Sequence, residues 1–288
     1  MYEIKKSFLK YPVIFSLIFN SFFIFLSYIL SYIVRNSLSG VWGLFFGELP
    51  KLIMVLVFMS ILKLDFLFTI NLKMSAEVKK IVIVLFITLF FLLAFEFFYV
   101  VSNGEKFRNI LYIFIFVAAK FFDVSSEDLL RRGIINNFIG CKFAKNNFGV
   151  LKTLVLSGLI FGFLNIFHIF NSFSKIENVL FYCFGVFLNG MFFSVIYLRT
   201  GSIYISVIFN FILRIFCDFN SVFLDRNISE VFKELTSKFG CFSNIFSNFI
   251  SAIFHCLFIF ILIFIFLRKN GYNEIIENQK CIRDNLKV

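Results

Sequence analysis

Apolar runs of about 20 residues recur along the whole chain, and they restrict its fold more than any other feature. The clearest is 81–101, IVIVLFITLFFLLAFEFFYVV, in which Glu96 is the one ionisable acid or base outside the tyrosine. As a helix, about 20 residues rising 1.5 Å each match a hydrocarbon core of about 30 Å. Lipid offers no hydrogen bonds to the backbone, so a chain made of such runs must satisfy itself as a bundle of helices. The expected fold class is all-α, a polytopic integral membrane bundle. About eight transmembrane helices can be drawn, at roughly 12–34, 44–62, 81–101, 110–124, 150–171, 178–198, 202–218 and 244–267. The second is interrupted by Pro50, and the seventh is made polar by Asn210 and Arg214.

Composition agrees. The chain is 60% hydrophobic with 50 Phe, against about 45–50% apolar residues in soluble domains. It has two prolines, no Pro/Gly/Ser-rich linker and no fixed-period repeat, so residues 1–288 are expected to form a single membrane domain. The basic start, MYEIKKSFLK, leads into an apolar stretch longer than a signal-peptide core and without a small-x-small cleavage site. It is expected to stay as the first helix.

The formal net charge of +11 raises nucleic acid as a partner. That class is excluded by the lack of a basic stripe interleaved with stacking aromatics outside the spans. The charge is better explained as topology. With the N-terminus inside, the cytoplasmic segments and span ends hold 18 Lys and Arg against 8 on the other side. The positive-inside rule then expects both termini in the cytoplasm, and residues 123–133 at the cytoplasmic face. Six scattered cysteines form no C-x-x-C pair, and the only histidines are His168 and His255. No disulfide framework, metal site or cofactor is expected.

Ionisable groups in or beside membrane spans are costly and usually face a bundle interior. Besides Glu96, expected to hydrogen-bond a neighbouring helix, three sets stand out. In DVSSEDLLRRG (123–133), Ser125 and Asp128 fit a capping box, and Glu127–Arg131 and Asp128–Arg132 are i,i+4 pairs. The run could simply open an interfacial helix, or it could be a working site. Asn165 and His168 share one helix face, as do Asn210 and Arg214. Each pair could be a plain helix–helix hydrogen bond. His255 is read as structural. In the segment 219–241, Ile228, Val231, Phe232 and Leu235 follow one apolar helix face, as in a short amphipathic or connecting helix.

Three stretches in order carry a resemblance. E-D-L-L-R-R-G (127–133) resembles the E-E-x-x-x-R-G motif of the CPBP family, the membrane-embedded CAAX-processing and bacteriocin-processing endopeptidases (Abi family). SGLIFGFLN (157–165) is similar to the family's F-x-x-x-H motif, with Phe161 matching. LRTGSIYISVIFNFILR (198–214) is similar to its third stretch, a T-G-S turn leading into a helix with H-x-x-x-[ND]. The similarity covers about 110–217, which would be the catalytic core. Asp128, Asn165, Asn210 and Arg214 depart from the pattern, and Asn stands at both histidine positions.

The resemblance implies a metal-independent endopeptidase without a cofactor, in the cell (inner) membrane of a bacterium. Its partners would be the lipid bilayer and a polypeptide anchored in or at the membrane, cut near the cytoplasmic face. The implied catalytic set is Glu127, Asp128, Arg132, Asn165, His168, Asn210 and Arg214. Glu127 would activate a water, its pKa raised by desolvation at the bilayer edge, and Arg132 would orient it. Asn210 and Arg214 would stabilise the oxyanion. Asn165 cannot relay a proton near neutral pH; His168, about 5 Å further along the helix, could substitute. The alternative is a catalytically inactive relative that keeps the fold and binds a membrane partner.

Overall fold

The apolar runs become helices. The computed structural model describes residues 2–38, 40–69, 74–102, 104, 106–169, 176–219, 223, 257–268 and 270–286. In chain order the helices are α1 (Tyr2–Lys10), α2 (Pro12–Ser37), α3 (Gly40–Ile61), α4 (Phe66–Thr69), α5 (Ala76–Ser102) and α6 (Ile110–Asp128). A π-helical segment, Leu129–Asn136, leads into α7 (Asn137–Phe143). Then follow α8 (Asn147–Ile169), α9 (Ile176–Thr200), α10 (Ile203–Cys217), α11 (Leu257–Leu267) and α12 (Gly271–Leu286). No strand occurs among the described residues. The protein is an all-α membrane bundle.

Among the described residues, four stretches are long and apolar enough to cross a membrane: Pro12–Val34, Val41–Ile61, Ala76–Ser102 and Cys183–Thr200. Asn147–Gly162, Ile203–Cys217 and Leu257–Leu267 are shorter apolar helices. The expected interruption at Pro50 does not occur, because α3 runs through it. Proline removes one backbone hydrogen bond, and the packing of α3 against α2 and α6 sustains the helix around that gap. His255 and most of 219–241, including its amphipathic pattern, lie outside the described residues.

The outer surface is hydrocarbon. On α5, Phe90, Phe91, Phe95 and Phe98 are 68–70% exposed, an apolar face that water would penalise and lipid accepts. Glu96 lies among them and is partly exposed. The buried core is built on the other side of the bundle, from Leu130, Ile134 and Phe138 against Leu188, Phe192 and Phe209.

Helices α8 and α9 pack closely, and glycine makes that possible. A Cβ on Gly158 would stand 2.7 Å from Met191 Cγ and 2.8 Å from the Phe187 carbonyl oxygen. Lipid removes most of the hydrophobic drive between helices, so such close backbone approach supplies the packing energy instead. Gly158→Val is therefore expected to lower stability by about 1–3 kcal/mol. Thermal unfolding of the purified protein in detergent would show it as a fallen midpoint.

The T-G-S turn sets α10 against α6. Gly201 has φ +65°, the left-handed conformation that ends a helix, and its N–H donates to the Tyr197 carbonyl at 2.7 Å. One residue later Ser202 caps α10, its side chain accepting from the Ile205 N–H at 3.4 Å. The polar helix α12 braces this corner. Asn278 Nδ2 donates to the carbonyls of Leu198 and Arg199 at 3.1 and 3.0 Å, satisfying groups at the end of α9 that the helix cannot. Arg199, almost fully buried, pairs with Glu274 at 2.8 Å and donates to the Phe266 carbonyl.

Candidate active site

Helix α6 does not stop where its apolar stretch stops at Val124. It begins at Ile110, where Asn109 caps it by accepting from the Leu111 N–H at 2.9 Å, and it continues to Asp128. Ser125 therefore lies inside a helix rather than at its start, and the capping-box reading is corrected. A cap serves free N–H groups, and here those are already bonded within the helix. Ser126 Oγ instead donates to the Asp123 carbonyl at 2.8 Å. The two i,i+4 ion pairs do form, Glu127 with Arg131 and Asp128 with Arg132.

Both arginines belong to the π-helical segment, a wider turn often found at functional sites. Asn137 Nδ2 donates to the Gly133 carbonyl at 2.8 Å and is also hydrogen-bonded to the Tyr197 hydroxyl. Asn136 Nδ2 donates to Ser194 Oγ at 2.8 Å. These two amides tie the segment to α9.

The adjacent carboxylates have opposite surroundings. Asp128 is fully buried. Its Oδ1 accepts from Asn210 Nδ2 at 2.8 Å, its Oδ2 accepts from Ser206 Oγ at 3.1 Å, and Arg132 pairs with it. Glu127 is partly exposed, and its Oε2 is 3.2 Å from Arg214 Nη2 and 3.5 Å from Arg131 Nη1. Ser206, Asn210 and Arg214 are spaced by four on α10, so one helix face serves both acids. The guanidinium of Arg131 lies 3.6 Å from the centre of the Phe161 ring on α8, and that of Arg132 lies 4.7 Å from the Phe193 ring on α9. Cation–π contact holds each planar group flat while its edge faces a carboxylate.

Glu127, Asp128, Arg132, Asn210 and Arg214 converge. Arg132 is bound to Asp128, so orientation of Glu127 falls to Arg131 and Arg214. Asn210 and Arg214, expected as oxyanion donors, hold Asp128 and Glu127 respectively. Two guanidinium groups against Glu127 favour its anion and oppose the rise in basicity expected from burial. Asn165 and His168 are on α8, four and seven residues past Phe161, but their side chains lie outside the described residues. Sequence reasoning missed Ser206, although its place four residues before Asn210 was the available signal. It also missed a cavity of about 150 Å³ between α3 and α6, lined by Leu44, Glu48, Phe116, Ala119, Lys120 and Asp123. Among the described residues, no group of three or more His, Cys, Asp or Glu could hold a metal.

Residues 107–216 match a family model described as Type II CAAX prenyl endopeptidase Rce1-like. This segment is similar to the Rce1-like domains of the CPBP family. No curated protein and no solved structure matches the chain. The matched segment starts just before α6 and ends within α10, so it contains both carboxylates, the π-helical segment and the α10 face that binds them. The Rce1-like family is one of membrane proteases, which supports a peptidase reading and a membrane-associated polypeptide as substrate.

Proposed function

We propose that the Rce1-like segment is a membrane-embedded endopeptidase in which Glu127 activates water for attack on a peptide bond near the cytoplasmic face. The observation that carries this reading is the unequal access of two neighbouring acids. The Glu127 side chain is 27% exposed and that of Asp128 is 0% exposed. Only Glu127 is open to water and to a peptide, and Asp128 is left as the anchor that holds α6 to α10.

In this mechanism Glu127 takes a proton from water while the hydroxyl adds to the peptide carbonyl carbon. The C–N bond then breaks, and the proton passes to the leaving amine. Arg131 and Arg214 stand beside the carboxylate, so they offer positive charge to the developing oxyanion. The same groups weaken Glu127 as a base. A second proton carrier is therefore required; the amide of Asn165 cannot be one, which leaves His168 as the candidate on α8.

The Lys and Arg bias supports cytoplasmic termini, and the motif span supports a catalytic core of about 110–217 within one membrane domain. The substrate is a polypeptide anchored in or at the bilayer. The test is cleavage of a membrane-tethered reporter by the full chain in vesicles, with Glu127→Ala as the comparison. Product from wild type alone supports the reading. Equal cleavage by both sinks the role of Glu127, and binding of a membrane partner without any cleavage supports the non-catalytic alternative.

A further inference from the structure

Behind the two arginines, away from the carboxylates they pair with, lies a second and much smaller cavity. Its volume is about 10 Å³, room for one water-sized ligand. Three of the side chains that line this space carry a buried polar atom with no hydrogen-bond partner among the described residues: Arg131 Nε, Arg132 Nε and Ser157 Oγ. Their residues are 9%, 2% and 6% exposed, so bulk solvent does not serve them. Unpartnered buried donors are rare and call for an explanation.

The chemistry of the donors indicates the occupant. An arginine Nε–H can only donate, and a serine hydroxyl can rotate to donate as well, so three donors belong to side chains lining one small space. The remaining polar residues of the wall, Asn136 and Ser194, are already engaged with each other at 2.8 Å. The rest is apolar, from Ile135, Ile160 and Phe161.

We propose that this cavity is a binding site for a single monatomic anion, a halide, held by Arg131 Nε, Arg132 Nε and the Ser157 hydroxyl. Its size excludes carboxylate, sulfate and phosphate. The site is independent of any peptidase activity. It ties Ser157 on α8 to the two arginines of the π-helical segment, and through them to both acids.

The experiment is thermal unfolding of the purified full-length chain in detergent, in sodium chloride, sodium bromide or sodium gluconate at matched ionic strength. The expected result is a saturable rise of the midpoint with chloride and bromide but not with gluconate. Ser157→Ala, which removes one charge-facing donor and no more, is expected to weaken halide binding about tenfold. Equal midpoints in chloride and gluconate would assign the cavity to water and overturn the proposal. So would a Ser157→Ala protein with the halide titration of wild type. If that variant does not fold, the wild-type comparison and an anomalous bromide peak between Ser157 and the arginines decide the matter.

Discussion

Asp128→Ala is expected to destabilise the bundle by about 3–5 kcal/mol, the cost of leaving a buried charge without its partner. The substitution removes three contacts at once. Arg132, 2% exposed, loses its counter-ion, while Ser206 Oγ and Asn210 Nδ2 lose their acceptor. None of the three groups can turn to water instead. Glu127→Ala one residue earlier is expected to cost no more than about 1 kcal/mol, since Glu127 and Arg214 are both partly solvated and such pairs contribute little. The contrast between two adjacent acids is the useful measurement. It can be read from denaturant or thermal unfolding of both variants in the same detergent. A double variant, Asp128→Leu with Arg132→Met, is expected to recover much of the loss, because an apolar pair can replace a buried ion pair of similar volume. Asp128→Ala within 1 kcal/mol of wild type would mean that this pair does not hold α6 to α10.

The same residues show how far the sequence could be read. Helix positions were legible because lipid leaves the backbone one solution, and a run such as 81–101 has no other way to hide its amides. The α10 face was legible as well, since Asn210 and Arg214 at i,i+4 must point the same way. Which acid each one reaches was not. Glu127 and Asp128 are about 100° apart around a helix, and only the packing of α10 against α6 decides that Asp128 turns inward. The capping-box error has a related cause. The pattern S-x-x-[DE] is local, whereas the start of a helix depends on where the preceding hydrogen bonds begin, here at Asn109. The π-helical segment was invisible because Leu129–Asn136 has no residue that demands it; its Asn136 finds its partner, Ser194, on α9. The cavity at Ser157 was equally hidden, for it exists only where α8 and α9 meet the arginines.

Glu127→Gln is expected to reduce cleavage of a tethered reporter by about 10²–10⁴-fold, the range for loss of a general base. Gln keeps the size of the side chain and still accepts a hydrogen bond from Arg214, so folding is expected to be unchanged. A fall in kcat at unaltered unfolding midpoint would separate chemistry from structure. The surroundings of Glu127 make a second variant informative. Arg131 and Arg214 stabilise the carboxylate and so reduce its pull on a proton, and the amide of Asn165 cannot carry that proton onward. Asn165→His places an imidazole one helical turn past Phe161, on the helix that packs its ring against Arg131. It is expected to raise the cleavage rate, by up to about 10²-fold where proton transfer limits the reaction. If Glu127→Gln is inactive and Asn165→His leaves the rate where it was, the proton takes another route, and His168→Ala becomes the variant that must lose activity. If Asn165→His gains activity that Glu127→Gln then removes, the two positions work in one chain of proton transfer. That pairing is what a helix face carrying Phe161 and residue 165, set against the turn bearing Arg131, would make possible.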